Sequence, residues 1–475
     1  MCVLLALTTA CAQDSGVVSN NNKNNKSQES NNFAPGSRPP QYVLIGFDGG
    51  LDVAQWQKTR DFAQEMRSSN KNINFTYFLS GVYFITWNNR QLYAPPKKSV
   101  GASAIGFGQG RADVSSRIEH MNASFREGHE IASLGNGHFN GRENKWNQDD
   151  WSSELKQFND LVFGSYTNND LSPAGYTLSQ NDIVGFRAPA LATNSDLWPA
   201  LKNAGFMYDV STVGHKNRWP QKDNNGVWRF IVPEIEVAGT AKKTLAMDYN
   251  FYVVQSGAKP DVANREAYRK QMYDSYMNYF NSNYYGRRAP VSIGHHFALP
   301  NDGAYWDALK DFANTVCGEA EVRCLSYKEY AQFLDGLTPE TLESFRKGDF
   351  EIMPRPDTLT PQAVTPDVQL ALQKDQDQIV VAVAGQHAAE MKTVVSINGK
   401  PLQGQSVDLK DLRRTLPAGS KAVISAAAFN SEGLEVQRAT HTLERIGTTE
   451  ESFATTPQEK LSSTMAVPEA VVLMQ

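Results

Sequence analysis

The stretch Tyr42-Val43-Leu44-Ile45-Gly46-Phe47-Asp48-Gly49-Gly50 decides the fold. An unbroken apolar run closed by a carboxylate and two glycines reads as a buried parallel strand, because a strand covered on both faces shows no polar alternation. In α/β folds the chemistry gathers just beyond the carboxyl ends of such strands, so Asp48 is placed at a site. Gly49 and Gly50 allow the sharp turn that would leave its carboxylate facing a cleft. The competing role for Asp48 is to cap the next helix, expected from about Leu51 to Met66.

Outward from this stretch the pattern of strand and helix repeats to about residue 336. Strands are expected at Asn74–Leu79, Glu130–Ser133, Ile183–Phe186, Trp228–Ile231, Leu245–Tyr249, Pro290–Ile293 and Val322–Leu325. Helices are expected at Val114–Glu127, through Trp151, Leu155, Phe158 and Val162, at Ser195–Ala204, at Val262–Phe280 and near Trp306–Val316. Tyr83 to Gly110 reads as a long aromatic and glycine-rich loop forming a groove wall. Alternation of this kind implies an α/β domain with a largely parallel sheet and helices outside it, either a barrel or an open sheet.

Past Phe350 the texture changes. Pro354, Pro356, Pro361 and Pro366 suggest a stiff linker over 351–366. Short β-rich runs follow at Val368–Leu372, Ile379–Val383, Thr393–Ile397, Lys421–Phe429 and Arg438–Leu443, with Asn398-Gly399 as a hairpin turn signal. They predict an Ig-like or fibronectin-like β-sandwich over 367–446, with a disordered tail over 447–475. No chemistry is visible there, since His387 and His441 are lone histidines.

A length of 475 residues with a net charge of −5 implies two or three units and no basic stripe, which argues against a nucleic-acid partner. The eight Trp and eighteen Tyr allow stacking on flat ligands such as sugar rings, with core filling the alternative for each. Residues 1–11, ending Thr8-Thr9-Ala10-Cys11, resemble the end of a bacterial lipoprotein signal with Cys11 as the acylated residue. An exported protein follows, periplasmic, anchored to the outer membrane through that lipid, or secreted. Residues 12–38, rich in Asn, Lys and Ser, read as a disordered tether leading into a domain over 39–350. With Cys2 and Cys11 in the signal, Cys317 and Cys324 are expected to form a disulfide rather than a zinc site.

Four strand ends carry unusual polar residues: Asp48, His138, Arg187 and the pair His295-His296. The ordered succession Gly-Phe-Asp-Gly-Gly, Gly-His-Glu-Ile-Ala-Ser-Leu-Gly-Asn-Gly-His, Gly-Phe-Arg-Ala-Pro-Ala and Gly-His-His-Phe resembles the motifs of the polysaccharide deacetylases of carbohydrate esterase family 4, over residues 40–336. The run from Arg187 to Ser211 is most similar to the chitin-deacetylase branch. The resemblance implies a deformed (β/α) barrel that removes acetyl groups from N-acetylated sugars with a divalent metal, zinc by preference. It further implies Asp48 as general base, Arg187 as the residue holding that base, His296 as general acid, Asp248 as the carboxylate tuning the acid, and the backbone N–H of Ala190 as oxyanion donor. His138 would be a metal ligand, with Asp48 a further candidate.

Two positions depart from the family pattern: Gly49 stands where it has a second Asp ligand, and Leu134 where it has a first metal histidine. Catalytic zinc ordinarily has three protein ligands, so Asn136, Asn140, Glu143 or His295 would have to compensate. His129 precedes its strand and is read as structural. Strand alternation points His295 and His296 to opposite faces, and His296 is favoured for the cleft. The leading expectation is a deacetylase of an N-acetylglucosamine polymer, peptidoglycan ahead of chitin. The rival is a catalytically silent glycan-binding protein that kept the groove, and a third reading is a structural wall protein displaying its β-sandwich.

Overall fold

The structure is a computed structural model describing residues 33–353, 369–385, 387–417, 419–430, 435–445 and 453–456. In chain order the first domain comprises β1 (Gln41–Gly49), α1 (Val53–Ser68), β2 (Thr76–Leu79), α2 (Arg111–Arg126), β3 (Glu130–Ser133), α3 (Gln148–Phe163), α4 (Ser165–Asn168), β4 (Gly185–Phe186), α5 (Leu197–Asn203) and β5 (Tyr208–His215). It continues with β6 (Gln221–Lys222), β7 (Trp228–Glu236), β8 (Lys243–Leu245), α6 (Asp248–Ser256), α7 (Arg265–Tyr284), β9 (Val291–His296), α8 (Pro300–Val316), β10 (Val322–Leu325), α9 (Tyr327–Asp335) and α10 (Pro339–Lys347).

β1 is the central strand, buried from Gln41 through Asp48. Parallel pairing passes from it through β2, β3, β4 and β5 to β7. On its other side β1 pairs with β9 over Val43–Asp48, and β10 pairs with its first half. The ring closes through an irregular link: Ala246 N–H donates to the Pro233 carbonyl of β7, and Gly294 N–H of β9 donates to the Ala246 carbonyl, each at 2.9 Å. Of the barrel and open sheet left open by the sequence, the protein is therefore a deformed (β/α) barrel.

The period of two along β1 separates two cores. Val43, Ile45 and Phe47 face the helical layer with Trp56, Tyr276 and Phe312. Tyr42 and Leu44 face the barrel interior with Phe78, Leu134 and Tyr208. Gly46 belongs to the interior series, where a Cβ would meet the Phe78 ring at 2.8 Å and Arg187 Nη2 at 3.4 Å. Its missing side chain thus leaves room for the arginine. At the opposite end from Asp48 the interior is closed by Tyr327, Tyr330 and Leu334 of α9 and Phe345 of α10, two helices the sequence reading had not separated out.

Several boundaries are corrected. Leu245–Tyr249 is not a strand: β8 ends at Leu245, and Asp248 opens α6. β5 was not anticipated, and the strand expected at Ile183–Phe186 shrinks to two paired residues. The tether expected over 12–38 ends earlier, because Phe33 packs edge-on to Phe333 and Phe345 at 6.0 and 5.2 Å and Arg38 makes a two-pronged pair with Glu321. The expected disulfide is present, joining Cys317 after α8 to Cys324 in β10 with Cα atoms 5.8 Å apart.

The second domain contains β11 (Gln369–Asp375), β12 (Gln378–Ala384), β13 (Lys392–Ile397), β14 (Lys400–Pro401), β15 (Ser406–Asp408), α11 (Leu409–Thr415), β16 (Lys421–Phe429), β17 (Glu435–Arg445) and β18 (Phe453–Thr456). A three-stranded and a five-stranded antiparallel sheet enclose one core around Ile379, Val381, Val395, Ile424 and Ala426. The Asn398-Gly399 turn joins β13 to β14 as expected. The 447–475 tail is corrected in one place, since Phe453–Thr456 pairs with β17 as β18. The signal at residues 1–11, Cys11 and most of the linker lie outside the described residues. Among the described residues no helix is long and apolar enough to cross a membrane.

Candidate active site

Gly49 and Gly50 take φ of +101° and +85°, a turn closed to ordinary side chains. It leaves Asp48 at the mouth of the barrel. The alternative role for Asp48 falls away, because Asp52 caps α1 by accepting from Gln55 N–H at 2.9 Å. In register, Asp48 lies beside His296 across the β1–β9 pair and beside Phe78 across β1–β2. Residues in parallel register share a face, so Asp48 and His296 both look into an open cleft of ≈ 240 Å³. Gly49, Gly50, Leu51, Ser80, Tyr83, Ile105, Leu134, His138 and Phe297 complete its wall.

Arg187 follows the short β4 and is buried, with Nη1 2.6 Å from Asp48 Oδ1. Its guanidinium stacks 4.2 Å over the Phe78 ring, and its Nε donates to the Val210 carbonyl at 3.3 Å. The buried carboxylate is thereby held against a guanidinium that cannot lose its proton.

Across the cleft, His296 Nδ1 lies 2.6 Å from Asp248 Oδ1, and the His296 backbone N–H donates to Asp248 Oδ2 at 2.9 Å. A carboxylate acceptor at Nδ1 requires that nitrogen to carry a hydrogen, which leaves Nε2 as the ring's other functional atom. Burial alone would lower the His296 pKa, but the Asp248 charge and hydrogen bond outweigh it and bring the imidazole up to about 9. Burial would likewise raise Asp248, yet the charges of His296 and His295 and the hydrogen bonds from His296 hold it down to about 2. His296 is thus an imidazolium at neutral pH, and its ring remains 39% exposed. His295 points the other way, as alternation required. It is buried beside Tyr276, and burial pushes it down to about 4.

His138 reaches the cleft wall at φ +57°, an uncommon conformation for a residue with a side chain. Burial lowers its pKa, reinforced by the His296 charge and opposed by Asp48. Ala190 also sits at positive φ, +54°, in the Pro189–Leu191 turn. It is exposed and is not among the residues lining the cleft.

The divalent metal implied by the resemblance does not fit these residues. Gly49 and Leu134 both line the cleft and bring no donor side chain to it. Among the described residues no three His, Cys, Asp or Glu side chains gather as a ligand group. None of the compensating candidates Asn136, Asn140, Glu143 and His295 lines the cleft; Asn140 accepts from Glu143 N–H at 2.9 Å, and His295 is buried behind the strand. His129 is structural as expected, with Nδ1 accepting from Phe75 N–H at 3.0 Å.

Three supporting groups escaped the sequence reading. Arg117 of α2 is fully buried and donates to the carbonyls of Gly50, Leu51 and Tyr83 at 2.7–2.8 Å while pairing with Asp113. It ties together two stretches of the cleft wall. Its signal was a charged residue within the apolar spacing Val114, Ile118, Met121. Glu154 of α3 accepts from Asn136 N–H at 2.8 Å and from Tyr93 Oη at 2.9 Å, while Tyr93 Oη accepts from Gly137 N–H, fixing the loop before His138. Asp209 and Ser211 lie where the register of β5 with β7 shifts. Ser211 Oγ accepts from Ala188 N–H at 2.7 Å and donates to Asp209, which Arg229 pairs at 3.0 Å. This bulge re-aims Ser211 to hold the turn that carries Arg187.

Fold and site together define a deformed (β/α) barrel protein with a carboxylate and an imidazole facing one cleft. No family model and no curated protein sequence matches the chain. Among solved structures it is similar to a Mycobacterium smegmatis protein assigned to the polysaccharide deacetylases, at 16% identity and a TM-score of 0.39, covering 65% of this chain and 96% of that one. It is also similar to a family 4 carbohydrate esterase from Streptomyces lividans solved with acetate, at 14% identity and a TM-score of 0.31, covering 60% and 92%. A further similar structure is a family 4 pseudoenzyme from Bacillus anthracis, at 7% identity and a TM-score of 0.32, covering 63% and 70%. The roles given to residues below rest on the geometry of this chain.

Proposed function

We propose that the cleft hydrolyses the N-acetyl group of N-acetylglucosamine units in a cell-wall polymer, with peptidoglycan favoured over chitin. The observation that carries this reading is the pairing in register of Asp48, braced by Arg187, with His296, braced by Asp248. One is a carboxylate placed to accept a proton and the other an imidazolium able to give one. Amide hydrolysis needs both in the same cleft. Asp48 takes a proton from water as its oxygen attacks the acetyl carbon. His296 then protonates the sugar nitrogen as the carbon–nitrogen bond breaks, releasing acetate and the free amine. With no metal donor set to polarise the carbonyl, turnover is expected to be slow.

The test is acetate release from N-acetylglucosamine oligomers and from peptidoglycan. Asp48→Asn and His296→Gln are each expected to cut the rate by about 100-fold or more, the scale of general acid–base catalysis. Release should survive EDTA, and loss on chelation with recovery by zinc would overturn the donor-set argument. A second reading, a glycan-binding protein without turnover, is favoured by Gly49 and Leu134 in the cleft wall. Saturable oligomer binding with no acetate from either substrate would select it. The peptidoglycan preference rests on the lipoprotein-like segment ending at Cys11, which would place the protein at the cell envelope.

A further inference from the structure

The loop that supplies Tyr83 and Ile105 to the cleft wall carries a side chain the chemistry does not use. Trp87 is 59% exposed, the most of any large apolar side chain among the described residues. Leaving an indole in water forgoes the gain of burying it, so a fixed exposed indole invites a functional reading. This one is fixed. The Arg90 guanidinium lies 4.5 Å from its ring centroid and donates Nη1 to the Trp87 carbonyl at 3.1 Å. The Phe107 ring meets it edge-on at 5.6 Å.

The backbone around Trp87 is equally constrained. Thr86 N–H donates to Asn169 Oδ1 at 2.9 Å, Asn89 Nδ2 to the Asn168 carbonyl at 2.6 Å, and Gly108 N–H to the Ile85 carbonyl at 2.9 Å. A rigid aromatic face binds a flat apolar ligand surface at little entropic cost. Its place relative to the cleft follows from the chain. Phe107, which braces it, stands two residues from Ile105, and Trp87 four residues from Tyr83, both cleft-wall residues, while Trp87 and Phe107 are not themselves part of that wall.

Charge narrows the ligand further. From Phe84 to Ala112 the chain has no Asp or Glu and four cations, Arg90, Lys97, Lys98 and Arg111, of which Lys97 pairs with Asp150 at 2.9 Å. Such a loop repels a polyamine and accepts a neutral or carboxylate-bearing chain. A sugar ring offers the apolar C–H face that stacks on indole, and an N-acetylated sugar has no charge at its nitrogen.

We propose that Trp87, braced by Arg90 and Phe107, is a stacking subsite for a sugar ring of an N-acetylated glycan, remote from the unit held in the cleft. The proposal rests on the reading of the cleft as a glycan site and adds a second point at which the chain is held. Binding energy gained there anchors the chain while the acetyl group is aligned between Asp48 and His296.

The test measures calorimetric affinity and acetate release for wild type, Trp87→Ala and Trp87→Phe, using N-acetylglucosamine oligomers of two and six units and the fully deacetylated six-unit amine. Trp87→Ala is expected to weaken six-unit binding about tenfold, a difference of about 1.4 kcal/mol, with two-unit binding unchanged and Trp87→Phe retaining most of the affinity. The amine should bind more weakly than its acetylated counterpart, by a margin that shrinks with added salt. Unchanged six-unit binding in Trp87→Ala, an equal loss at both lengths, or a preference for the amine would overturn the subsite. Trp87-dependent binding without acetate release would leave the subsite standing and sink the deacetylase reading. Acetate release indifferent to Trp87 would do the reverse, and no glycan binding by wild type would remove both.

Discussion

His296 owes its charge at neutral pH chiefly to Asp248. Removing the Asp248 charge with Asp248→Asn takes away most of what lifts the imidazole to about 9 and leaves Asp48 as the remaining carboxylate against burial, which pulls it down. Acetate release by wild type should therefore persist up to about pH 9 and fall beyond it as His296 deprotonates. In Asp248→Asn that alkaline limb is expected to move below neutrality, and a pH–rate profile of both proteins would settle the matter: an unmoved limb would mean that another group is the acid. The pair also links pH to stability. The His296 share is complete below about pH 6.5, the unfolded value, and is lost as pH rises through about 9. The Asp248 share is complete above about pH 4 and is lost as pH falls through about 2.

At the scale of elements, the cleft depends on how helices grip the loops leaving the strands. Arg117 shows this most directly, because α2 has no contact with substrate in the proposed chemistry yet determines where the turn after Asp48 goes. Arg117→Met would preserve the length of the side chain and strand the carbonyls of Gly50, Leu51 and Tyr83 together with the Asp113 charge. Breaking a buried pair in this way costs about 3–5 kcal/mol. Urea denaturation should register that loss, and a change under 1 kcal/mol would show that water satisfies those carbonyls instead. Much of this level was readable in advance. The burial pattern of β1, the helical spacing of Trp151, Leu155, Phe158 and Val162, and the β13–β14 hairpin follow from periodicity and turn chemistry, which are local. β5 was missed because its alternation is broken by the bulge at Val210 and Ser211, and α6 because Asp248 sits in a short run whose helix is set by what it packs against.

For the whole molecule, the cores are separate. The barrel's clusters hold no residue beyond Met353, and the sandwich cluster none before Leu370. Calorimetry of the full chain is expected to show two transitions, and one cooperative transition would reveal coupling across the residues that join the domains.

What the sequence determined by itself was the order of motifs along the barrel: a carboxylate at the end of β1, an arginine after β4, and paired histidines at the end of β9. Those are properties of residue type and local pattern, and they survive without knowledge of the partner strands. The tertiary structure alone decided that Asp48 and His296 are neighbours in register, and that Asp248 reaches His296 from a helix rather than a strand. It also decided that Gly49 and Leu134 have no substitute donors in the cleft wall, because Asn136, Asn140, Glu143 and His295 all lie outside it. The physical reason is the same in each case. Register and side-chain direction are set by pairings between segments up to roughly 250 residues apart, and no local propensity carries that information.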